Sequence, residues 1–170
     1  MAQSISVIKC RSNQEIDAAR ELTWEFFDFL RGRYRDMLKI IDDFIVSSDV
    51  AGQLEKFSDY FLPPNGECFL GLQEKVVVGM VSLKPKGNAD GELNRMYVRK
   101  AARGLGMGRS LGEAAIKEAR LLGYDNLYLD ALYRHVEALP LYESLGFERY
   151  SDANAVGGDD ERVINMRLKL

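Results

Sequence analysis

The sequence predicts one mixed domain of the α/β class, α+β-like in keeping its helices early and its sheet late. Three observations carry that reading. Apolar residues recur at helical spacing through the first third of the chain. They then alternate with period two from about residue 68. A glycine-rich loop at 104–108 stands between a strand and a helix. At 170 residues a chain folds as a single domain, 1–170, and buries roughly 70% of its unfolded surface without metal or disulfide.

Residues 4–10 alternate, with Ile5, Val7 and the Cys10 region on the apolar side, and read as a first strand. Ser12-Asn13-Gln14-Glu15 is a cap-like start to an amphipathic helix carrying Ile16, Ala19, Leu22, Trp24, Phe26, Phe27 and Leu30. Trp24 and the phenylalanines fall on its helical stripe and read as core. From 33 to 62 the pattern stays helical but interrupted, with Leu54, Phe57 and Phe61 on one side, until Pro63-Pro64-Asn65-Gly66 stops it. Residues 68–72 and 76–83 are two strands joined by Gln73-Glu74-Lys75, a hairpin by its spacing.

Residues 87–91 make a turn and 93–98 another strand. The glycine loop then leads into a helix with Leu111, Ala115, Ala119 and Leu122 at helical spacing, closed by Gly123 where a C-terminal cap prefers glycine. A strand at 127–131, a short helix at 136–145, a strand opening at 146–150, a polar loop at 151–161 and a last strand at 163–168 complete the chain. The sheet is therefore mixed, with a strand-helix-strand-helix unit late in the sequence.

Composition removes several function classes. Apolar residues are 46%, charged residues 29%, and the formal charge is −3. That balance argues against a general nucleic-acid binder and mildly suits a cationic amine ligand. Cys10, Cys68 and one histidine offer no metal-ligand spacing, so the cysteines read as buried, reduced thiols. The N-terminus lacks the pattern of a signal peptide, and no apolar run approaches the ~20 residues of a membrane span. The expectation is a cytoplasmic protein without membrane contact.

The chemistry concentrates at Arg103-Gly104-Leu105-Gly106-Met107-Gly108-Arg109-Ser110. Glycines let a backbone take positive φ and approach a ligand closely. The helix behind them offers unpaired N–H groups and a partial positive charge. Together these make an anion site, most naturally for phosphate. Arg99, Lys100, Arg103 and Arg109 add charge there. No lysine stands where a Walker loop needs one, and Gly112 falls one residue too late for the dinucleotide fingerprint. A plain strand-to-helix turn would need fewer than three alternating glycines.

Arg103-x-x-Gly106-x-Gly108 resembles the pyrophosphate-binding signature of the GNAT superfamily of N-acetyltransferases, Gln/Arg-x-x-Gly-x-Gly/Ala. Residues 93–99, Leu-Asn-Arg-Met-Tyr-Val-Arg, resemble the strand that precedes this loop in the family. Residues 138–147 resemble its later Ala-x-x-x-Tyr-x-x-x-Gly-Phe motif. The likeness covers roughly 68–150; the first 60 residues fit by layout only. It implies a mostly antiparallel central sheet flanked by helices. In such a sheet two strands, near 92–98 and 126–131, splay at a bulge and admit the pantetheine arm of acetyl-CoA.

On that resemblance the amides of Arg103, Gly104, Leu105, Gly106, Met107, Gly108, Arg109 and Ser110 hold the pyrophosphate. Met96, Tyr97 and Val98 bind the pantetheine and could polarise the thioester carbonyl. Tyr142 aligns with the tyrosine that protonates the leaving thiolate, its alternative being a packed aromatic. Glu92 is the candidate general base, or else a solvated turn carboxylate. Asp130 either orients the amine or caps a helix, and His135 reads as a capping or surface residue. Tyr34, Tyr60, Tyr133 and Tyr150 could line an acceptor pocket. The partners implied are acetyl-CoA and an amine acceptor, with a homodimer through an exposed strand edge as one assembly. A coenzyme A-binding module without transfer activity and a nucleotide-binding protein are the competing functions.

Overall fold

The computed structural model describes residues 3–170. Strand β1 (Ile5–Lys9) leads into α1 (Asn13–Arg33). Helix α1 starts where the sequence places it because Ser12 and Glu15 close a capping box. The Glu15 amide donates to Ser12 Oγ at 3.2 Å and the Ser12 amide to Glu15 Oε2 at 2.9 Å. Its buried stripe is Ile16, Ala19, Leu22, Thr23, Phe27 and Leu30. Trp24 stands beside that stripe and is 37% exposed, so it is not the core residue the sequence suggested.

The interrupted helical stretch resolves into α2 (Leu38–Ser47), α3 (Val50–Glu55) and α4 (Phe57–Phe61). Leu54, Phe57 and Phe61 are buried as expected. Next come β2 (Glu67–Gln73), β3 (Val76–Lys86) and β4 (Asp90–Val98). The β2–β3 turn takes positive φ at both Glu74 and Lys75, the twist a tight hairpin favours. Helix α5 (Met107–Leu121), β5 (Asn126–Leu132), α6 (Ala138–Ser144), β6 (Glu148–Tyr150) and β7 (Val163–Lys169) complete the chain.

The seven strands form one sheet in the order β1-β2-β3-β4-β5-β7-β6. Every pairing is antiparallel except β4 with β5, which is parallel. One face is covered by α5 and α6, with Leu111, Ala115 and Tyr142 packed over Leu83, Leu93, Leu127 and Leu129. The other is covered by α1–α4, with Leu22, Phe27, Phe57 and Phe61 over Leu70 and Met80. Cys10 and Cys68 are free, buried neighbours across β1–β2, the Cys10 amide donating to the Cys68 carbonyl at 2.9 Å. Among the described residues no helix is long and apolar enough to cross a membrane.

One pairing matters most for function. Strands β4 and β5 match at only three positions, Asp90 with Asn126, Gly91 with Leu127 and Glu92 with Tyr128. Beyond Glu92 they part, and β5 pairs with β7 alone. The fork opens at a bulge. The register with β3 slips between Ser82–Asn94 and Met80–Tyr97, and Arg95 takes a left-handed φ of 56°. The expected splayed pair is present.

Candidate active site

A cleft of about 320 Å³ lies at the mouth of the fork. Met96, Tyr97 and Val98 form one wall, and Arg103, Gly104, Gly106, Met107, Gly108 and Arg109 its floor. Ala102, His135, Glu137, Ala138 and Leu141 complete it; the sequence reading had assigned none of these five to the cofactor. Leu105 and Ser110 do not line the cleft. Leu105 is 38% exposed, and the Ser110 amide closes the first helical bond onto the Gly106 carbonyl at 3.0 Å. A larger hollow of about 500 Å³, with Asp17, Arg20, Glu55 and Lys56 in its walls, lies over α1 and α3–α4 and shares no residue with the loop.

The amide cradle is narrower than the sequence suggested. The Arg103 amide already donates to the Lys100 carbonyl, and that of Ser110 is used as above. No backbone acceptor among the described residues takes the amides of residues 104–109. Gly106 caps α5 at φ 84° with no side-chain cap, and Gly104 is also left-handed at 81°. A Cβ added at either would meet nothing within 4 Å. The backbone there faces open space with donors unpaired, the condition a phosphate group requires.

Gly108 is different: a Cβ there would come within 3.0 Å of Leu141 Cδ2, so its bareness serves α5–α6 packing. The Arg103 side chain also turns away from the cradle. Its Nε donates to the Val98 carbonyl at 2.8 Å, and the guanidinium lies 5.0 Å from the Phe29 ring centroid. It pins the end of β4 to α1. Arg109 remains at the rim, donating to Ser144 Oγ at 2.5 Å.

His135 is no surface residue. It lines the cleft against Phe29, 5.7 Å between centroids, and burial pushes its imidazole down to about 4, so it is neutral at pH 7. Beside it Glu137 is held down to about 2, chiefly by its hydrogen bonds from Arg33 at the end of α1. Both lie just past the end of β5, the position that could have flagged them in the sequence.

Tyr142 lies behind Leu141, outside the cleft lining, with its ring 6.1 Å from Phe147 and only 6% exposed. Burial raises its hydroxyl well above the ordinary tyrosine value, which keeps the proton on at neutral pH. Glu92 is not a turn residue but lies within β4, at the last paired position before the fork. Asp130 is no helix cap: it sits within β5 opposite Asn165 of β7. Burial, then the nearby Glu92 charge, pushes the Asp130 carboxyl up to about 6. With its amide nitrogen turned inward, Asn165 donates to Asp130 Oδ1 at 2.5 Å and to the Val156 carbonyl at 3.1 Å. The two carboxylates thus flank the fork on the α1 face. Of the four candidate tyrosines, Tyr150 stacks edge-on to Tyr128 near Asp130, and Tyr60 lies over Lys84. Tyr34 and Tyr133 pack together on the Arg134 side, apart from this group.

Free amides at one end of a cleft and an unpaired strand edge at the other suit an acyl carrier with phosphates and an amide-bearing arm. That is the layout of a coenzyme A-dependent acyltransferase. The acetyltransferase (GNAT) family matches residues 17–147, and the chain belongs to that family. It is 32% identical over 105 residues to an uncharacterized N-acetyltransferase of Schizosaccharomyces pombe, covering 61% of this chain and 62% of that one. It is 35% identical over 95 residues to the N-acetylaspartate synthetase of Danio rerio, covering 55% of this chain and 34% of the relative. The matches thus span less than two thirds of either relative. The PaiA N-acetyltransferase of Thermoplasma acidophilum, solved in complex with coenzyme A, superposes with a TM-score of 0.71 at 15% identity, over 98% of this chain and 99% of that one. That likeness is one of fold.

Proposed function

We propose that the protein is an N-acetyltransferase that moves the acetyl group of acetyl-CoA onto a primary amine of a small molecule, amino acid or peptide. The observation that carries this reading is the fork itself: six free amides at its mouth lead to an unpaired β4 edge. The amides of residues 104–109 hold the pyrophosphate. The β4 edge at Met96–Val98 holds the pantetheine arm and polarises the thioester carbonyl.

An amine attacks only as the free base, and the nitrogen sheds a proton as the N–C bond forms, which a carboxylate beside the fork accepts, directly or through water. Asp130, lifted to about 6, is better matched to that task near neutral pH than an ordinary carboxylate. Glu92 keeps that value high and offers a second acceptor. As the C–S bond breaks, the departing sulfur takes its proton from the Tyr142 hydroxyl, which burial keeps protonated. Among relatives, the name N-acetylaspartate synthetase places amino acids among the acceptors to be tried. A homodimer would form through an open sheet edge, β1 or the three-residue β6.

Thiol release from acetyl-CoA against a library of amines, amino acids and peptides tests the proposal. Amine-dependent release is the expected result. Tight acetyl-CoA binding with no release across the library would make the protein a coenzyme A-binding module instead.

A further inference from the structure

The α1 face of the sheet carries an ordered run of charges around the fork. Lys84 of β3 stands opposite Glu92 of β4, and Glu92 stands beside Tyr128 of β5. Asp130 follows two residues along on the same side of β5, about 7 Å further on. Arg95 sits at the bulge next to Asn94. Its guanidinium reaches the α3–α4 layer, 4.6 Å from the Phe61 ring centroid, and donates to Gln53 Oε1 at 3.1 Å. The Lys84 ammonium lies over the same ring at 5.3 Å and over Tyr60 at 5.9 Å. Two cations therefore share one aromatic cover.

That pair is short of negative charge. Arg95 Nη1 is fully buried and has no hydrogen-bond partner among the described residues. Burial lowers Arg95 to about 10, and burial followed by the Arg95 charge lowers Lys84. The carboxylate that acts on Lys84 is Glu92, which also faces Asp130. Packing alone gives no reason to hold a guanidinium under α4 with a donor unused, since a lost buried hydrogen bond to a charged group is costly. The left-handed backbone of this non-glycine residue adds a strain that the fold retains.

We infer that the acceptor is an amine that also bears a carboxylate, its acid group held by Arg95 and Lys84 and its amino group directed to Glu92 and Asp130. The inference rests on the acetyltransferase reading above and narrows its acceptor. The face is cationic under α4 and anionic at the fork, the pattern a zwitterion complements. A polyamine would meet Lys84 and Arg95 as like charges. Overall acidity, which mildly suggested cationic acceptors, is outweighed by this local arrangement.

The test compares L-leucine with L-leucinamide, a pair that differs only in the acid group, beside L-aspartate and L-glutamate as further carboxylate amines and spermidine as the polycation. The readout is kcat/KM for thiol release from acetyl-CoA. The wild type should prefer a carboxylate acceptor to the amide by on the order of 10–100-fold, the worth of one charge-assisted hydrogen bond. Arg95→Gln and, separately, Lys84→Gln should raise KM for the acid and leave the amide little changed, with acetyl-CoA affinity held. Melting temperatures identify a variant that merely fails to fold, and the second variant then decides. Equal use of acid and amide, preference for spermidine, or acceptance of no carboxylate amine would overturn the inference while leaving the transferase reading intact. Absence of release with every amine, with acetyl-CoA bound, would instead overturn that reading and the inference with it.

Discussion

The two faces of the fork are built on different principles. The proposed cofactor side draws mostly on neighbouring residues between 96 and 109, whose backbone would do the binding. The proposed acceptor side would gather side chains from β3, β4, β5, α3 and α4 that are distant in sequence: Gln53, Phe61, Lys84, Glu92, Arg95 and Asp130. A backbone site needs glycines at fixed offsets and leaves a local signature. A side-chain site leaves only ordinary residues scattered along ordinary elements. This is why one half declares its ligand class and the other must be read from geometry.

The largest expected effect lies on the cofactor side. Gly106→Val forces a side chain into φ 84° and into the open space above the amides. The left-handed backbone alone should cost roughly 1–2 kcal/mol in stability. Coenzyme A affinity should fall by on the order of 10³-fold, as two charge-assisted bonds are lost. Titration calorimetry beside a urea melt separates these, and retained affinity would remove the loop from the site. Gly108→Val is the contrasting control: it strikes Leu141 and should act mainly on stability.

Next comes the acceptor side. Asp130→Asn should lower kcat by on the order of 10²–10³-fold. For the wild type, kcat/KM should fall with an extra acid limb as pH drops through about 6, because the base works deprotonated. Glu92→Gln removes a like charge and should shift that limb to lower pH. The stability sign is opposite. A carboxyl raised from 3.8 to about 6 favours its neutral form in the fold, so stability falls as pH climbs through that window. Asp130→Asn should therefore be the more stable protein at pH 8, by about 1–2 kcal/mol after discounting for its partial exposure. A profile unchanged by the substitution would pass the role to Glu92.

Tyr142→Phe probes the boundary between the two sides. It keeps the ring against Phe147 and removes the proton donor. Coenzyme A affinity should hold and kcat should drop about 10²-fold, the low end for a positioned acid because a thiolate leaves readily. Full turnover in the variant would assign the proton to water, and lost affinity would make Tyr142 a binding residue.

Much of the fold was legible in the sequence because local rules and tertiary demands agree. The Ser12–Glu15 box, the Glu74-Lys75 turn and Gly123 all terminate elements where chain chemistry says they should. The loop was legible for the same reason. Arg103 misled because its charge suggested phosphate, whereas its fixed fork geometry is used on the Val98 carbonyl. His135 misled because a lone histidine near a helix start carries no mark of the cleft beside it. Asp130 stayed open between orienting the amine and capping a helix because its surroundings depend on β7, thirty-odd residues downstream. For His135 and Asp130 the deciding contacts, with Phe29 and Asn165, are long-range, and no spacing within the sequence encodes them; for Arg103 the acceptor is only five residues away, but residue type alone does not say which acceptor its guanidinium takes.

The smallest effect concerns an ion-pair group that ties α1 to the start of α6 beside the cleft. Arg33, at the end of α1, meets Glu137 just before α6, and Arg103 Nη1 approaches Glu137 at 4.0 Å. The Glu137 carboxyl is held down from 4.5 to about 2, so its contribution is present above pH 4.5 and fades as pH falls toward 2. Its side chain is 42% exposed, and the pair is therefore screened. Arg33→Met should cost no more than about 0.5–1 kcal/mol in a urea melt at pH 7, less at high salt, with an unchanged m-value. The cofactor side should feel it too. Without Arg33 the Glu137 charge stands less compensated beside the phosphate cradle, so coenzyme A should bind a few-fold more weakly at low salt. Glu137→Gln should share the stability loss yet spare or improve cofactor affinity. If both variants weaken coenzyme A equally, the bridge acts by holding α1 against α6 rather than by charge.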